Sequence, residues 1–389
     1  MSTATTMAPA ILVEAKAVPT PALLLAMLKV STKVSDLILS PGSHPVVEMS
    51  GKLVAVKISG MPPLTPEDTR RIAYELIGDN PQATDSLQKM GSCDISYRLP
   101  GHSRFRVNIF QQRGSHAIVM RVIPQVIPSF DELKLPPQLG EITELRNGIV
   151  LVTGPTGSGK SSTLAAVLDR INESHAYHIL TIEDPIEFMH KHKRSIVHQR
   201  ELHSDTPTFA LALRAALRQA PKVILVGEMR DKETIEIALE AAETGHLVLS
   251  TLHTIDASKT VERIIGVFPL AEQHTIRNRL AKSFRFIVSQ RLLPRKDGNG
   301  RVAIVEILKS TVRTREYVEK GEQDGKSLLE AMQDGDTDGM QHFDGEIEKL
   351  VRVDLIDVDT GLAYATNPGN LRLILGDLGS FASEEKPTS

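Results

Sequence analysis

From about residue 147 the sequence predicts an α/β fold, a largely parallel sheet with helices on both faces, and ahead of it a smaller domain of mixed α and β. Two observations carry this. Short apolar runs alternate with amphipathic segments: Ile149 to Thr153, a helix from Lys160, His178 to Ile182, a helix over 208–219, Val223 to Val226, a helix over 232–244, then Leu247 to Leu252. The first step of that alternation is a glycine-rich turn, Gly154-Pro155-Thr156-Gly157-Ser158-Gly159-Lys160-Ser161, set between Ile149-Val150-Leu151-Val152 and a helix whose Leu164, Val167, Leu168 and Ile171 recur at helical spacing. A chain of 389 residues also exceeds what one core usually holds, so two or three domains are expected.

Taken in order, residues 1–20 and 377–389 are small, polar or proline-punctuated and are expected to be mobile tails. The first domain is placed at 21–122. It opens with an apolar helix, Leu23 to Leu28, followed by strands at Asp36 to Leu39, Val46 to Met49 and Leu53 to Ile58, punctuated by Gly42 and Ser50-Gly51. Thr65-Pro66-Glu67-Asp68 has the chemistry of a helix start, a capping hydroxyl with an acid three residues on, and Ile72, Leu76 and Ile77 mark the buried face. In 104–122, Phe105, Val107 and Ile109 alternate with Arg104, Arg106 and Asn108, and a second strand runs through Ile118, Met120 and Val122. With Arg113-Gly114 as a two-residue loop, Arg106 falls opposite Arg121, a like-charge pair that calls for a bound anion or for carboxylates nearby. Residues 123–146, with Pro124, Pro128, Pro136 and Pro137, read as a semi-rigid linker. The α/β core is placed at 147–290 and a C-terminal helical region at 291–376.

Lys plus Arg number 45 against 48 Asp plus Glu, a formal charge of −3, so no global basic field recommends nucleic acid as a partner. The single cysteine, Cys93, excludes an internal disulfide framework and a multi-cysteine zinc site; it reads as a small buried apolar residue in a protein suited to a reducing cytoplasm. No apolar run approaches the ~18 residues of a membrane span, and the N-terminus lacks a basic region followed by an apolar core, so any work at a membrane is expected to be peripheral.

The pattern G-x-x-x-x-G-K-S between strand and helix is that of a phosphate-binding loop. Its glycines let successive N–H groups turn toward phosphate oxygens, and the dipole of the following helix points the same way. Gly154, Pro155, Thr156, Gly157, Ser158, Gly159, Lys160, Ser161 and Ser162 are the candidate nucleotide contacts. Lys160 would neutralise the outer phosphates and Ser161 would offer a hydroxyl to Mg²⁺. Ligands of such sheets lie beyond the carboxyl ends of strands, so the residues just after each strand are candidates. Glu228 and Glu183 are the carboxylates placed to orient and deprotonate an attacking water, a role worth ~10² to 10⁴ in rate. Glu228 could instead only pair with Arg230, and Glu183 could only cap the turn at Asp184-Pro185. His253 is a candidate beside them; His246, after Gly245, reads as a helix-end cap.

Two further patterns are set aside. The stretch containing His190, Lys191, His192, Lys193, Arg194, His198 and His203 lacks metal spacing on a defined helix and reads as a solvated or subunit-facing loop. Asp334-Gly335-Asp336-Thr337-Asp338-Gly339 begins like a calcium loop, yet its twelfth position is Gly345.

Together these residues resemble a known family, the hexameric secretion ATPases of type IV pili, in the PilT/PilU twitching-motility or pilus-retraction branch. The resemblance covers about residues 21 to 375. It rests on Gly154 to Ser161, Thr181-Ile182-Glu183-Asp184-Pro185-Ile186-Glu187, Val226-Gly227-Glu228-Met229-Arg230-Asp231, and Thr244-Gly245-His246 through Thr251-Leu252-His253-Thr254. These resemble the Walker A, aspartate, Walker B and histidine boxes, and Gly227 in place of an acid matches the family. The resemblance implies a PAS-like domain followed by a RecA-like ATPase with C-terminal helices, a homohexamer, ATP and Mg²⁺ as cofactors, and an inner-membrane platform protein as partner at the pilus base. It also implies that Arg106 and Arg121, with Arg113 as a weaker third, supply positive charge to the ATP. The absence of a four-cysteine motif favours the retraction branch over extension and type II secretion enzymes. Thr311-Val312-Arg313-Thr314 keeps only the arginine of an Ala-Ile-Arg-Gly-like motif, Ile38 replaces a frequent His, and Ala220 and Lys222 replace acids before Walker B. These departures leave open an accessory paralogue of the motor with little hydrolysis; a related secretion or conjugation ATPase is the more distant alternative.

Overall fold

A computed structural model describes residues 18–49, 51–124 and 126–376. The expected tails lie outside these residues, apart from 18–20, and Thr20 already begins a helix. The chain divides into two compact units, with the division after residue 125.

The first unit is an antiparallel sheet of six strands: β1 (Val34–Leu39), β2 (Val46–Met49), β3 (Lys52–Ala55), β4 (Ser92–Leu99), β5 (Ser103–Gln112) and β6 (Ser115–Ile123), in the order β3-β2-β1-β6-β5-β4. Period-2 alternation decides its buried face. Phe105, Val107 and Ile109 of β5 and Ile118 and Met120 of β6 join Leu23, Leu24 and Met27 of helix Thr20–Leu28 and Ile72 of helix Pro66–Ile77 in one core. The capping box forms as the sequence implies: Asp68 N–H donates to Thr65 Oγ1 at 3.1 Å and Thr65 N–H to Asp68 Oδ2 at 2.9 Å. Cys93 is buried in the same core, and burial pushes its thiol up to about 11.

The β5–β6 hairpin turns on Arg113 and Gly114, with φ of 46° and 74°, the conformation that matches strand twist in a two-residue loop. Arg106 does stand opposite Arg121, and the next strand provides the compensation: Asp36 of β1 pairs in register with Arg121, whose Nε donates to Asp36 Oδ1 at 3.0 Å.

The segment expected to be a linker is built into the second unit. It forms helix Phe130–Leu133 and a 3₁₀ helix, Pro137–Glu144, and Leu135, Leu139 and Ile142 are buried against Val150, Leu164 and Leu168. A Ser129–Glu132 capping box starts the first and Pro137 the second, while three apolar side chains at near-helical spacing hold them down.

The second unit contains β7 (Gly148–Thr153), β8 (His178–Glu183), β9 (Ile196–Glu201), β10 (Val223–Val226), β11 (Leu247–Leu252), β12 (Phe284–Pro294) and β13 (Arg301–Lys309), in the order β13-β12-β7-β11-β10-β8-β9. All neighbours are parallel except the β12–β13 hairpin. Side-chain alternation sends Ile149, Leu151, Ile224, Val226 and Val248 into one core and Val150, Val152, Val223, Leu225 and Leu249 into the other. Apolar residues on both faces explain why these strands read as unbroken hydrophobic runs.

Two differences follow from long-range pairing. The histidine-rich stretch ends in an edge strand, β9, where Val197 is buried and His178 and His198 approach to 2.9 Å. The hairpin of β12 and β13 carries the sheet across the expected 290/291 boundary, and the C-terminal helices begin only at Val312. There Asp334 of the calcium-like run accepts from Arg313 Nη1 at 2.9 Å.

Candidate nucleotide site

The strand order aligns segments far apart in sequence along one sheet end: Ser289-Gln290 of β12, then Thr153-Gly154 at the end of β7, Leu252-His253 at the end of β11, Gly227-Glu228 after β10, and Glu183 of β8. The register makes Thr153 the partner of both Ser289 and Leu252, and Val226 the partner of Ser250 and Ile182.

The loop itself cannot be built from ordinary residues. Gly154, Gly157 and Gly159 have φ of 142°, 79° and 96°, and a Cβ on Gly154 would lie 2.4 Å from the Gln290 carbonyl oxygen. Helix Lys160–Ser174 starts directly behind the loop, so Lys160, Ser161 and Ser162 occupy its first turn. Lys160 is buried and folds back to donate to the carbonyl oxygens of Gly154 at 2.9 Å and Pro155 at 3.0 Å. Burial lowers its pKa, while the carboxylates of Glu187 and Glu228 act in the opposite direction.

Glu228 stands between two partners. Its Oε2 lies 2.7 Å from Arg230 Nη2 and 3.6 Å from His253 Nε2. The Arg230 pairing raised from sequence is therefore present together with the His253 contact. Desolvation, and next the positive charge of Lys160, lower the His253 pKa and favour a neutral imidazole. Thr251 Oγ1 donates to the Gly227 carbonyl at 2.6 Å, fixing the end of β10 against β11. Gly227 itself is constrained: a Cβ there would meet the Ile182 carbonyl oxygen at 3.3 Å and Glu183 Cα at 3.4 Å. Close approach of β8 and β10 is a physical reason for glycine where other phosphate-loop proteins carry an acid.

Glu183 accepts from Thr181 Oγ1 at 2.6 Å and Gln199 Nε2 at 3.2 Å, and desolvation raises its pKa against those hydrogen bonds. His246 is a cap, its Nδ1 lying 2.9 Å from the Ala241 carbonyl at the end of helix Lys232–Glu243. Arg106 and Arg121 lie in the first unit, both exposed. Sequence reasoning missed Asp36, which a cross-strand argument limited to one hairpin cannot reach, and Glu187, whose charge reaches Lys160 through the turn after β8. It also missed Glu306, a lone acid in the apolar strand Arg301–Lys309; that interruption was the available signal.

The donor set fits a nucleotide's phosphates. Ser158 Oγ is buried without a hydrogen-bond partner in the described structure, and Lys160 is the buried cation beside it. Backbone N–H groups at a helix start, a lysine and an orphaned hydroxyl form an anion cradle, with a carboxylate within reach of its outer end.

This fold and site define a class. Residues 92–345 match the model of the Type II/IV secretion system protein family, and the chain belongs to that family. Within it the chain is of the PilT/PilU type. It is 43% identical over 336 residues to the "Type IV pilus retractation ATPase PilT" of Pseudomonas aeruginosa, covering 86% of this chain and 95% of that protein. The "Type IV pilus ATPase PilU" of the same organism is 38% identical over 355 residues, 91% of each chain. The crystal structure of the pilus retraction motor PilT with bound ADP superposes with a TM-score of 0.81 at 42% identity, covering 90% of this chain and 98% of that one. The two units are accordingly the PAS-like and RecA-like domains expected from the sequence.

Proposed function

We propose that this chain is the subunit of a homohexameric ATPase motor that drives type IV pilus retraction, and hence twitching, from the cytoplasmic face of the inner membrane. The observation that carries the chemistry is the placement of Glu228 beside His253 and facing the charge of Lys160, at the strand ends that hold the phosphate loop. Likeness to PilT supplies the biological setting. No helix among the described residues is long and apolar enough to cross a membrane; the proposed association is with a platform protein at the pilus base.

Loop N–H groups, Ser158 and Lys160 hold the phosphates of ATP. Mg²⁺ beside Ser161 would neutralise charge on the phosphate oxygens. Glu228 orients and deprotonates the attacking water. Its partner Arg230 has to release it or be outcompeted, since a carboxylate held by a guanidinium is a weaker base. Glu183, held by Thr181 and Gln199, supports the outer phosphate region, and His253 acts there as a neutral hydrogen-bonding group. Arg106 and Arg121 add positive charge to the nucleotide, with Arg121 held through its Nε by Asp36.

ATP turnover of the purified protein with Mg²⁺, wild type beside Glu228→Gln, tests this. Turnover lost by about 10² or more with nucleotide binding retained is expected. The second reading is an accessory subunit that binds nucleotide and hydrolyses little, left open by the departures at Ile38, Ala220, Lys222 and Thr311 to Thr314. Tight nucleotide binding by wild type without turnover selects it.

A further inference from the structure

Four buried groups form a hydrogen-bonded line across the sheet directly behind the phosphate loop. Thr153 Oγ1, on the last residue of β7, donates to Ser289 Oγ on β12 at 3.2 Å. Ser289 Oγ donates to Glu306 Oε1 on β13 at 3.1 Å, and the same carboxylate oxygen accepts the Ala257 N–H at 2.8 Å. Thr153 partners Ser289 and Ser289 partners Glu306 in the strand registers, so the line runs straight across three strands. Thr153, Ser289 and Ala257 are fully buried, and Glu306 is 2% exposed.

Each end of the line is at the site. Thr153 is bonded through the chain to Gly154. Ala257 is the first residue of helix Ala257–Gly266, which begins four residues after His253. The intervening turn is fastened to that helix: Lys259 N–H donates to Asp256 Oδ1 at 2.7 Å, Thr260 Oγ1 donates to the Asp256 carbonyl at 2.7 Å, and Thr254 and Thr260 hydroxyls lie 2.6 Å apart. The start of the Ala257 helix is thus fastened to the turn that follows His253.

A carboxylate among Ile304, Val305, Ile307 and Leu308 is an expensive way to hold a helix start. An apolar residue of similar volume at such a place is often neutral or stabilising. The four groups are buried in a close-packed core, so a displacement at one end of the line is felt at the other.

We propose that Glu306, with Ser289, is a positioning pair that couples occupancy of the phosphate loop to the segment carrying His253. It rests on the nucleotide-site reading above. When the loop adjusts to bound phosphates, Thr153 carries Ser289 and Glu306 with it, and Glu306 sets the register of the Ala257 helix start.

The test is hydrogen exchange of the full-length protein with and without saturating ADP, followed at residues 253–260. ADP slows exchange there in wild type. Ser289→Ala keeps ADP affinity within about threefold and loses at least half of the slowing. Glu306→Leu behaves likewise, whereas Glu306→Gln retains most of it, because an amide oxygen still accepts from Ala257 and Ser289. In turnover, Ser289→Ala lowers kcat by about tenfold with KM within about twofold. Full ADP-dependent slowing in folded Ser289→Ala, or no slowing in wild type, overturns the proposal, and Ser289→Ala keeps it testable should Glu306→Leu not fold. ADP needs no hydrolysis, so a protein that binds it without turning over ATP refutes the motor reading and leaves this readout intact.

Discussion

Burial pushes the Glu306 carboxyl up to about 7; the Ala257 N–H, Ser289 and Arg291 hold it down, and the charge of Asp256 pushes it further up. The folded pKa thus exceeds the unfolded value of about 4.3. The native state keeps a proton that the unfolded chain has lost, so stability falls as pH rises through that window and the loss is complete above the folded pKa. Glu306→Gln removes the ionisation. Its melting temperature is expected to match wild type near about pH 5 and to exceed it at about pH 8, measured by thermal denaturation at both. A variant less stable than wild type at the higher pH would contradict this. A gain in stability there, beside loss of coupling in Glu306→Leu, separates the cost of the charge from the use of the hydrogen bonds. At the same scale, Lys160 and Glu228 were legible because their motif spacing is local. Asp36 was not: the strand that brings it to Arg121 lies 85 residues away.

The phosphate loop makes the clearest case among the elements. Gly154→Ala places a methyl group 2.4 Å from the Gln290 carbonyl oxygen and 2.6 Å from Ser158 Oγ, so the loop has to move away from β12. Nucleotide affinity is expected to fall by about tenfold or more, read by calorimetric titration with ADP. Gly157 has nothing within 4 Å of the same added atom, and only its φ of 79° resists substitution. Gly157→Ala should cost about 1–2 kcal/mol of local strain and weaken binding less than Gly154→Ala. In the first unit, the Thr65 capping box predicts a loss of about 1 kcal/mol for Thr65→Ala by chemical denaturation. Both elements could be read in advance, since capping residues and loop glycines act within a few positions of themselves. β9 and the 126–146 segment could not, because their apolar residues acquire partners only when distant strands and helices arrive.

Over the whole molecule, the two units have separate cores, one gathering Leu23, Ile72, Phe105 and Met120, the others built on either face of the parallel sheet. Calorimetry is expected to resolve two unfolding transitions. ADP at about 100 times its dissociation constant should raise the transition of the second unit by about 2.7 kcal/mol, by mass action on its native state. Lys160→Ala should abolish that shift. Both transitions moving together with ADP would mean that the units unfold as one.

Capping residues and short-range periodicity determined the strand–helix alternation around β7, β8, β10 and β11, the phosphate loop and the strand-end carboxylates, because each depends on residues within a turn or a strand of one another. The tertiary structure decided the rest. Strand order brought β12 beside β7 and so placed Ser289, Gln290 and Glu306 behind the loop; pairing of β1 with β6 put Asp36 on Arg121; close approach of β8 and β10 left little room for a side chain at residue 227. Those facts depend on which distant strands share hydrogen bonds, and that choice is made by the packing of whole faces, not by any local run of residues.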